Sequence, residues 1–172
     1  MEDQVTLVDE NDNEVGVEEK MAAHRSGKLH RAVSVFVFDS SGRLLLQKRA
    51  SSKYHSGGLW SNTCCGHPRP GEHRRDTARR RLKEEMGIDC ELAEGFSFVY
   101  RAALSGGLIE HEYDYVFFGR HDGEPVPNPE EAEDWKWVEI EQLSADVQRN
   151  PHSYTFWLAV CLDRVVAHNR SH

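Results

Sequence analysis

The chain has 172 residues, enough for one domain with a real core and too few for two ordinary ones. Hydrophobic residues make up 38% and charged residues 29%, the balance of a soluble globular protein, and the longest apolar runs, such as Val33 to Phe38, are far too short to cross a bilayer of about 30 Å. A net charge of −8 argues against nucleic acid as a partner, since duplex binders carry a basic face.

In chain order, residues 1–30 are polar, with a turn expected at Asn11-Asp12-Asn13-Glu14. The acidic start Met1-Glu2-Asp3-Gln4 lacks the charged-then-apolar layout of a signal peptide, so a cytoplasmic location is expected. Arg31 to Phe38 is rich in β-branched and aromatic residues and predicts a strand. A turn at Asp39-Ser40-Ser41-Gly42 and a second strand from Arg43 to Arg49 complete a hairpin. Ser51 to Gly58 reads as a loop and Leu59 to Cys65 as a short strand. Gly71 and Glu72 open a helix to about Met86, with Ala78, Leu82 and Met86 as its buried stripe and Gly87 as its C-terminal cap. Phe96 to Ala103 and Glu110 to Gly119 alternate as strands do. Pro125, Pro127 and Pro129 mark a loop, and Trp135 to Val138 is a last strand. Two helices close the chain between residues 140 and 168, roughly Ile140 to Arg149 and Ser153 to Ala167. One α/β domain over residues 1–172 is expected, a mixed sheet sandwiched between helices.

The basic cluster from His73-Arg74-Arg75 to Arg79-Arg80-Arg81 reads mainly as a solvated helix face. No pair among Cys64, Cys65, Cys90 and Cys161 has C-x-x-C spacing, which argues against a disulfide framework or structural zinc and fits a reducing compartment. If Asn62 to Pro68 is extended, Cys65 and His67 share one face and Cys64 the other, where it serves as a small buried hydrophobe. By the same alternation Glu110 and Glu112 face together, with His111, Tyr113, Tyr115 and Phe117 opposite. Two carboxylates this close need a cation or a shared proton, although E-x-E alone serves solubility at a sheet edge as readily as chemistry. His24 and His30, each alone, would be surface histidines. With His67, Glu110 and Glu112 they form a donor set suited to a divalent transition metal such as Zn²⁺ or Mn²⁺.

From Gly66, five residues lead to Glu72, and seven more to Arg80-Arg81-Leu82-Lys83-Glu84-Glu85-Met86-Gly87-Ile88. This resembles the Nudix box, a loop–helix–loop motif of 23 positions whose helix presents carboxylates such as Glu84 and Glu85 to a hard cation. Hydrolases of that superfamily usually have Glu where this chain has Arg81. The exchange removes a metal ligand and adds a positive fork suited to phosphate oxygens.

The wider pattern is similar to the isopentenyl diphosphate isomerases of the Nudix superfamily, over about four-fifths of the chain. The matching pieces are Glu19-Lys20-Met21-Ala22-Ala23-His24, Leu29-His30, Lys48-Arg49-Ala50-Ser51-Ser52-Lys53, Asn62 to Pro68, Tyr100-Arg101 and Glu110-His111-Glu112. The resemblance implies that Cys65 and Glu112 lie on opposite sides of the substrate and that Tyr100 works beside Glu112 in proton delivery. It implies that Trp157 turns its indole to a developing carbocation, and that Lys20, Arg49, Lys53 and Arg81 hold the diphosphate with Mg²⁺ bound through Glu85. It also implies a first metal site, for Mn²⁺ or Zn²⁺, made of His24, His30, His67, Glu110 and Glu112. Phe156 stands where the family has Pro, which puts the register of the last helix in question. His73 and His111 are not expected among the ligands. The expected partner is a small-molecule substrate, with no nucleic acid and no membrane, and the protein is expected to be a monomer. The competing reading is a Nudix hydrolase of a nucleoside or prenyl diphosphate, against which Arg81 counts.

Overall fold

The computed structural model describes residues 4–171; Met1, Glu2 and Asp3 of the acidic start lie outside them, as does His172. Strand β3 (His30–Phe38) organises the architecture. Its odd-numbered Val33, Val35 and Val37 pack with Ala78, Leu82 and Met86 of helix α2 (Arg74–Met86). Its Phe36 and Phe38 pack on the other face with Ile140, Leu143 and Val147 of α3 (Ile140–Arg149) and Leu158, Leu162 and Val165 of α4 (Phe156–Ser171). A strand buried on both faces reads as a continuous apolar run, which is why Val33 to Phe38 has no polar alternation of its own beyond Ser34.

β3 runs parallel to β8 (Ile109–Arg120), from His30↔Glu112 to Phe38↔Arg120, and β7 (Leu92–Ala103) pairs antiparallel on the far side of β8. β4 (Leu44–Arg49) pairs antiparallel with β9 (Ala132–Val138). The sheet is therefore mixed, with helices on both faces, as expected. β8 is not an edge strand, so solubility does not account for Glu110 and Glu112.

Several boundaries differ from the sequence reading. The polar N-terminal segment forms a hairpin, β1 (Gln4–Val8) with β2 (Glu14–Glu19), followed by α1 (Lys20–Ser26). The expected hairpin after Phe38 pairs only at Phe38↔Leu44, because β4 leaves β3 to join β9. The stretch Leu59 to Cys65 is split into β5 (Trp60–Ser61) and β6 (Cys64–Gly66). Between them Thr63 Oγ1 accepts from the Val37 N–H and donates to the Leu45 carbonyl, so a side chain replaces the ladder there. Helix α2 begins at Arg74, because Gly71 sits at φ 80° and His73 caps the first turn by accepting from the Arg75 N–H. Its C-terminus is as expected: Gly87, at φ 66°, donates to the Lys83 carbonyl. The last helix starts at Phe156, after a 3-10 turn at Pro151–Ser153.

Candidate active site

The sheet face toward α4 changes character along its length. Val116, Phe36 and Phe38 make it apolar at one end, while His30, Ser34, Glu110, Glu112 and Asp114 make it polar and buried at the other. Beside the polar end lies a cavity of about 460 Å³. Lys20, Arg49, Lys53, Cys65, His67, Arg81, Glu85, Tyr100, Glu110, Glu112 and Trp157 all line it. His24 and His30 do not line it; both are fully buried and contact Glu110.

His24 comes from the last turn of α1, which Glu19 caps by accepting from the Ala22 N–H and Gly27 ends in a left-handed turn. His30 opens β3 in register with Glu112. Each of these two rings points Nδ1 at a backbone carbonyl, of Lys20 at 2.7 Å and of Lys28 at 3.0 Å. A carbonyl can only accept, so Nδ1 carries the proton and Nε2 is turned inward. There His24 Nε2 lies 2.9 Å from Glu110 Oε1, and His30 Nε2 lies 3.3 Å from both Glu110 Oε1 and Glu112 Oε2. His67 Nε2 is 2.8 Å from Glu112 Oε2. One ligand atom from each of these five residues falls within 4.8 Å of every other.

This set fits a divalent cation. Among the described residues, the Nε2 atoms of His24 and His30 and Oε1 of Glu110 are buried without a directed hydrogen bond, which burial makes costly unless something positive sits among them. Charge is already strongly coupled there. Burial works against a charged His30, but the close approach of the Glu110 and Glu112 carboxylates prevails and raises the imidazole to about 10. Burial also works against ionised Glu110, yet its contacts with His24, His30 and His55 hold it well below the usual carboxylate range. Glu112 is lowered as well, the imidazoles of His30 and His67 outweighing burial and the charge of Glu110.

Cys65 and Cys64 part as the alternation requires. Cys64 is buried in the α2 core, whereas Cys65 pairs with Ser34, lines the cavity and stays a thiol, burial and then the nearby carboxylates pushing it up. Tyr100 donates to Glu112 Oε1 at 2.6 Å, and burial keeps its phenol protonated. Trp157 is buried and donates Nε1 to Asn62 Oδ1 at 3.1 Å, while Phe156 is half exposed. The register left in question by the missing proline therefore turns Trp157, not its neighbour, into the cavity.

Arg49 is buried, with its guanidinium 5.2 Å from the Trp157 ring and its Nε without a hydrogen-bond partner among the described residues. Arg81 pairs with Glu84, Glu85 and Glu131, and Lys53 with Glu131 at 2.8 Å. Glu85 also accepts from Gln47 Nε2 at 2.8 Å and stands outside the five-donor set. His73 serves as a helix cap and His111 bonds the Gly27 carbonyl, so neither belongs to the set, as expected.

Comparison with known proteins agrees with this geometry. The family model for the NUDIX domain matches residues 28–158. "Isopentenyl-diphosphate Delta-isomerase 1" of Aromatoleum aromaticum is 70% identical over 97% of this chain and 94% of its own length. The Burkholderia multivorans isopentenyl-diphosphate Delta-isomerase is 50% identical over 100% and 99%. The chain belongs to the isopentenyl-diphosphate Delta-isomerase family. Among solved structures, a Deinococcus radiodurans protein superposes with a TM-score of 0.79 at 24% identity, covering 94% of this chain and 98% of its own, and a MutT protein from Methanosarcina mazei with 0.69 at 17%, covering 83% and 96%. At those identities they speak for the fold alone.

Within this isomerase-family site, the sequence reading missed four residues. His55 is buried with Nε2 2.8 Å from Glu110 Oε2 and its ring edge-on to Trp157. Glu131 joins Lys53 to Arg81. Both sit in loops, where no periodicity marks them. Asp114 continues the alternation of Glu110 and Glu112 by one more step, and Ser34 is the one polar residue in the run Val33 to Phe38; both signals were available.

Proposed function

We infer that the chain interconverts isopentenyl diphosphate and dimethylallyl diphosphate by moving one double bond. The observation that carries this is a thiol, Cys65, and a carboxylate, Glu112 with Tyr100 on it, lining one cavity beside a buried five-donor metal set. An unactivated alkene is a weak base, so the acid must be well placed and water excluded. One of Cys65 and Glu112 delivers a proton to the terminal alkene carbon and the other takes one from the carbon next to the diphosphate-bearing one. The roles exchange when the reaction runs backwards. The Trp157 ring faces the charge that develops between these events, a cation–π contact of ~2 kcal/mol when desolvated. Lys20, Arg49, Lys53 and Arg81 grip the diphosphate. The buried Nε of Arg49, without a hydrogen-bond partner among the described residues, supports that assignment.

His24, His30, His67, Glu110 and Glu112 would hold a Mn²⁺ or Zn²⁺ ion, and Glu85 would take a Mg²⁺ together with the substrate's diphosphate. An ion held by the first set would supply the positive charge that offsets the mutual repulsion of the two carboxylates, and one at Glu85 would offset diphosphate charge. On this reading the chain works as one domain of the cytoplasm, its N-terminal segment supplying His24 and His30 and its C-terminal helices Trp157. Four free cysteines support a reducing compartment. A hydrolase reading is disfavoured by isomerase relatives at 50% and 70% identity and by Arg81, whose guanidinium pairs with Glu85.

The test is incubation with isopentenyl diphosphate and Mg²⁺ in heavy water, followed by NMR. Deuterium should enter the product methyl group. Release of phosphate or pyrophosphate without a double-bond shift would overturn the reading.

A further inference from the structure

Asp114 and Ser34 sit on the polar sheet face, each 1% exposed, and the isomerase reading gives neither a task. Ser34 Oγ donates to Asp114 Oδ2 at 2.7 Å. It also lies 3.6 Å from Sγ of Cys65, its register partner on β6. The neighbours of Cys65 determine where its S–H can go. The Asn62 amide cannot flip, because Nδ2 donates to the carbonyls of Val35 and Cys64. Its Oδ1 then accepts from Ser61 Oγ at 2.9 Å and from Trp157 Nε1 at 3.1 Å, which uses both lone pairs. Cys65 Sγ is 3.5 Å from that oxygen but meets an acceptor already filled. The Ser34 oxygen, having given its hydrogen to Asp114, keeps a lone pair for the thiol.

We propose that Ser34, held by Asp114, is a positioning residue that accepts the Cys65 S–H and so fixes where the sulfur and its proton lie against the cavity. The proposal rests on the isomerase reading, in which Cys65 exchanges a proton with substrate. Ser34 touches no substrate and acts through Cys65. It would place the thiol from behind, while Asn62 separately places the Trp157 indole. Misplacing a reacting group by as little as ~1 Å can lower a rate ~100-fold, which gives such a contact catalytic weight out of proportion to its size.

The S–H stretching band of Cys65 in infrared spectra, assigned by its absence in Cys65→Ala, reads the contact without turnover. In Ser34→Ala, with folding checked by thermal melting, the band should move to higher wavenumber as its acceptor is lost. kcat should fall roughly tenfold to a hundredfold with KM held. Asp114→Ala releases the Ser34 hydroxyl and should shift the same band and lower kcat in the same direction, so it tests the contact should Ser34→Ala not fold; an unmoved band in folded Asp114→Ala counts against the proposal. An unmoved band in folded Ser34→Ala, or a moved band with kcat unchanged, overturns the proposal. If Cys65→Ala itself keeps isomerase activity, the fault lies with the role given to Cys65, and the band still reports its acceptor.

Discussion

Loading the metal-free protein with Mn²⁺ or Zn²⁺ should expel protons at neutral pH. A protonated imidazole has no lone pair for a metal, and His30 in the metal-free site is raised to about 10 by Glu110 and Glu112 against its own burial. At pH 7.5, about 2.5 pH units below that value, His30 is almost fully protonated, and displacing its proton costs on the order of 3 kcal/mol, or ~300-fold in apparent affinity. Titration calorimetry in buffers of differing ionisation enthalpy counts the protons; the release should be one or more per metal. Apparent affinity should climb about tenfold per pH unit through neutrality and level off only near 10, whereas an ordinary imidazole would level off near 6.5. The same shift acts on the metal-free fold. A folded-state value raised above 6.5 gives a stabilising contribution fully present below that pH and lost as pH rises through about 10. Metal binding with no proton release at pH 7.5 would refute the reasoning, since it would mean His30 is already neutral between its two carboxylates.

The two adjacent cysteines should separate cleanly. Cys65→Ala should lower kcat by ~10²–10⁴-fold or more with the melting temperature little changed, and Cys64→Ala should cost on the order of 1 kcal/mol of stability with activity kept. Equal losses of activity in two folded variants would mean the two side chains do not face apart. Gly66→Ala should raise KM roughly tenfold with less effect on kcat, because its new Cβ would lie 2.4 Å from Cγ of Arg81, near the root of that side chain, and would push the guanidinium off the diphosphate. Steady-state kinetics check it, and an unchanged KM would remove Arg81 from the grip.

How far the sequence reading reached depended on whether a residue's place follows from local period. Ala78, Leu82 and Met86 lie on one helix stripe, and all three are fully buried. Glu110 and Glu112 lie on one side of a strand, and both reach the imidazole of His30. The N-terminal hairpin escaped because β2 is a sheet edge where Val15 and Val17 stay exposed, so its apolar residues mark no buried face. The break between β5 and β6 escaped because Asn62 and Thr63 bond inward to backbone groups of other strands, a long-range event with no spacing to announce it. Even so, the argument that Cys65 and Cys64 face apart survived, since β6 itself keeps strand register at Ser34↔Cys65 and Val35↔Cys64. His55 and Glu131 come from loops and meet the site only through the fold.

The division of labour within the site follows from which surfaces are buried. In the hydrolases that the motif resembles, the position of Arg81 is usually a glutamate, so helix α2 itself would carry the metal charge. Here Arg81 neutralises Glu85 and reaches Glu131, and α2 becomes a charged wall suited to phosphate oxygens. The five-donor set lies instead on the sheet, on α1 and, through His67, just past the end of β6, fully or nearly fully buried, where unpaired charge is least tolerable. That placement does two things at once. On the proposed reading it would put a cation beside Glu112 and Tyr100, which touch each other, and would leave the diphosphate's phosphorus–oxygen bonds facing cationic side chains with no carboxylate at position 81. On the proposed reading the same helix–sheet frame holds a diphosphate without attacking it, while the proton chemistry falls to Glu112 and the thiol of Cys65 on the sheet.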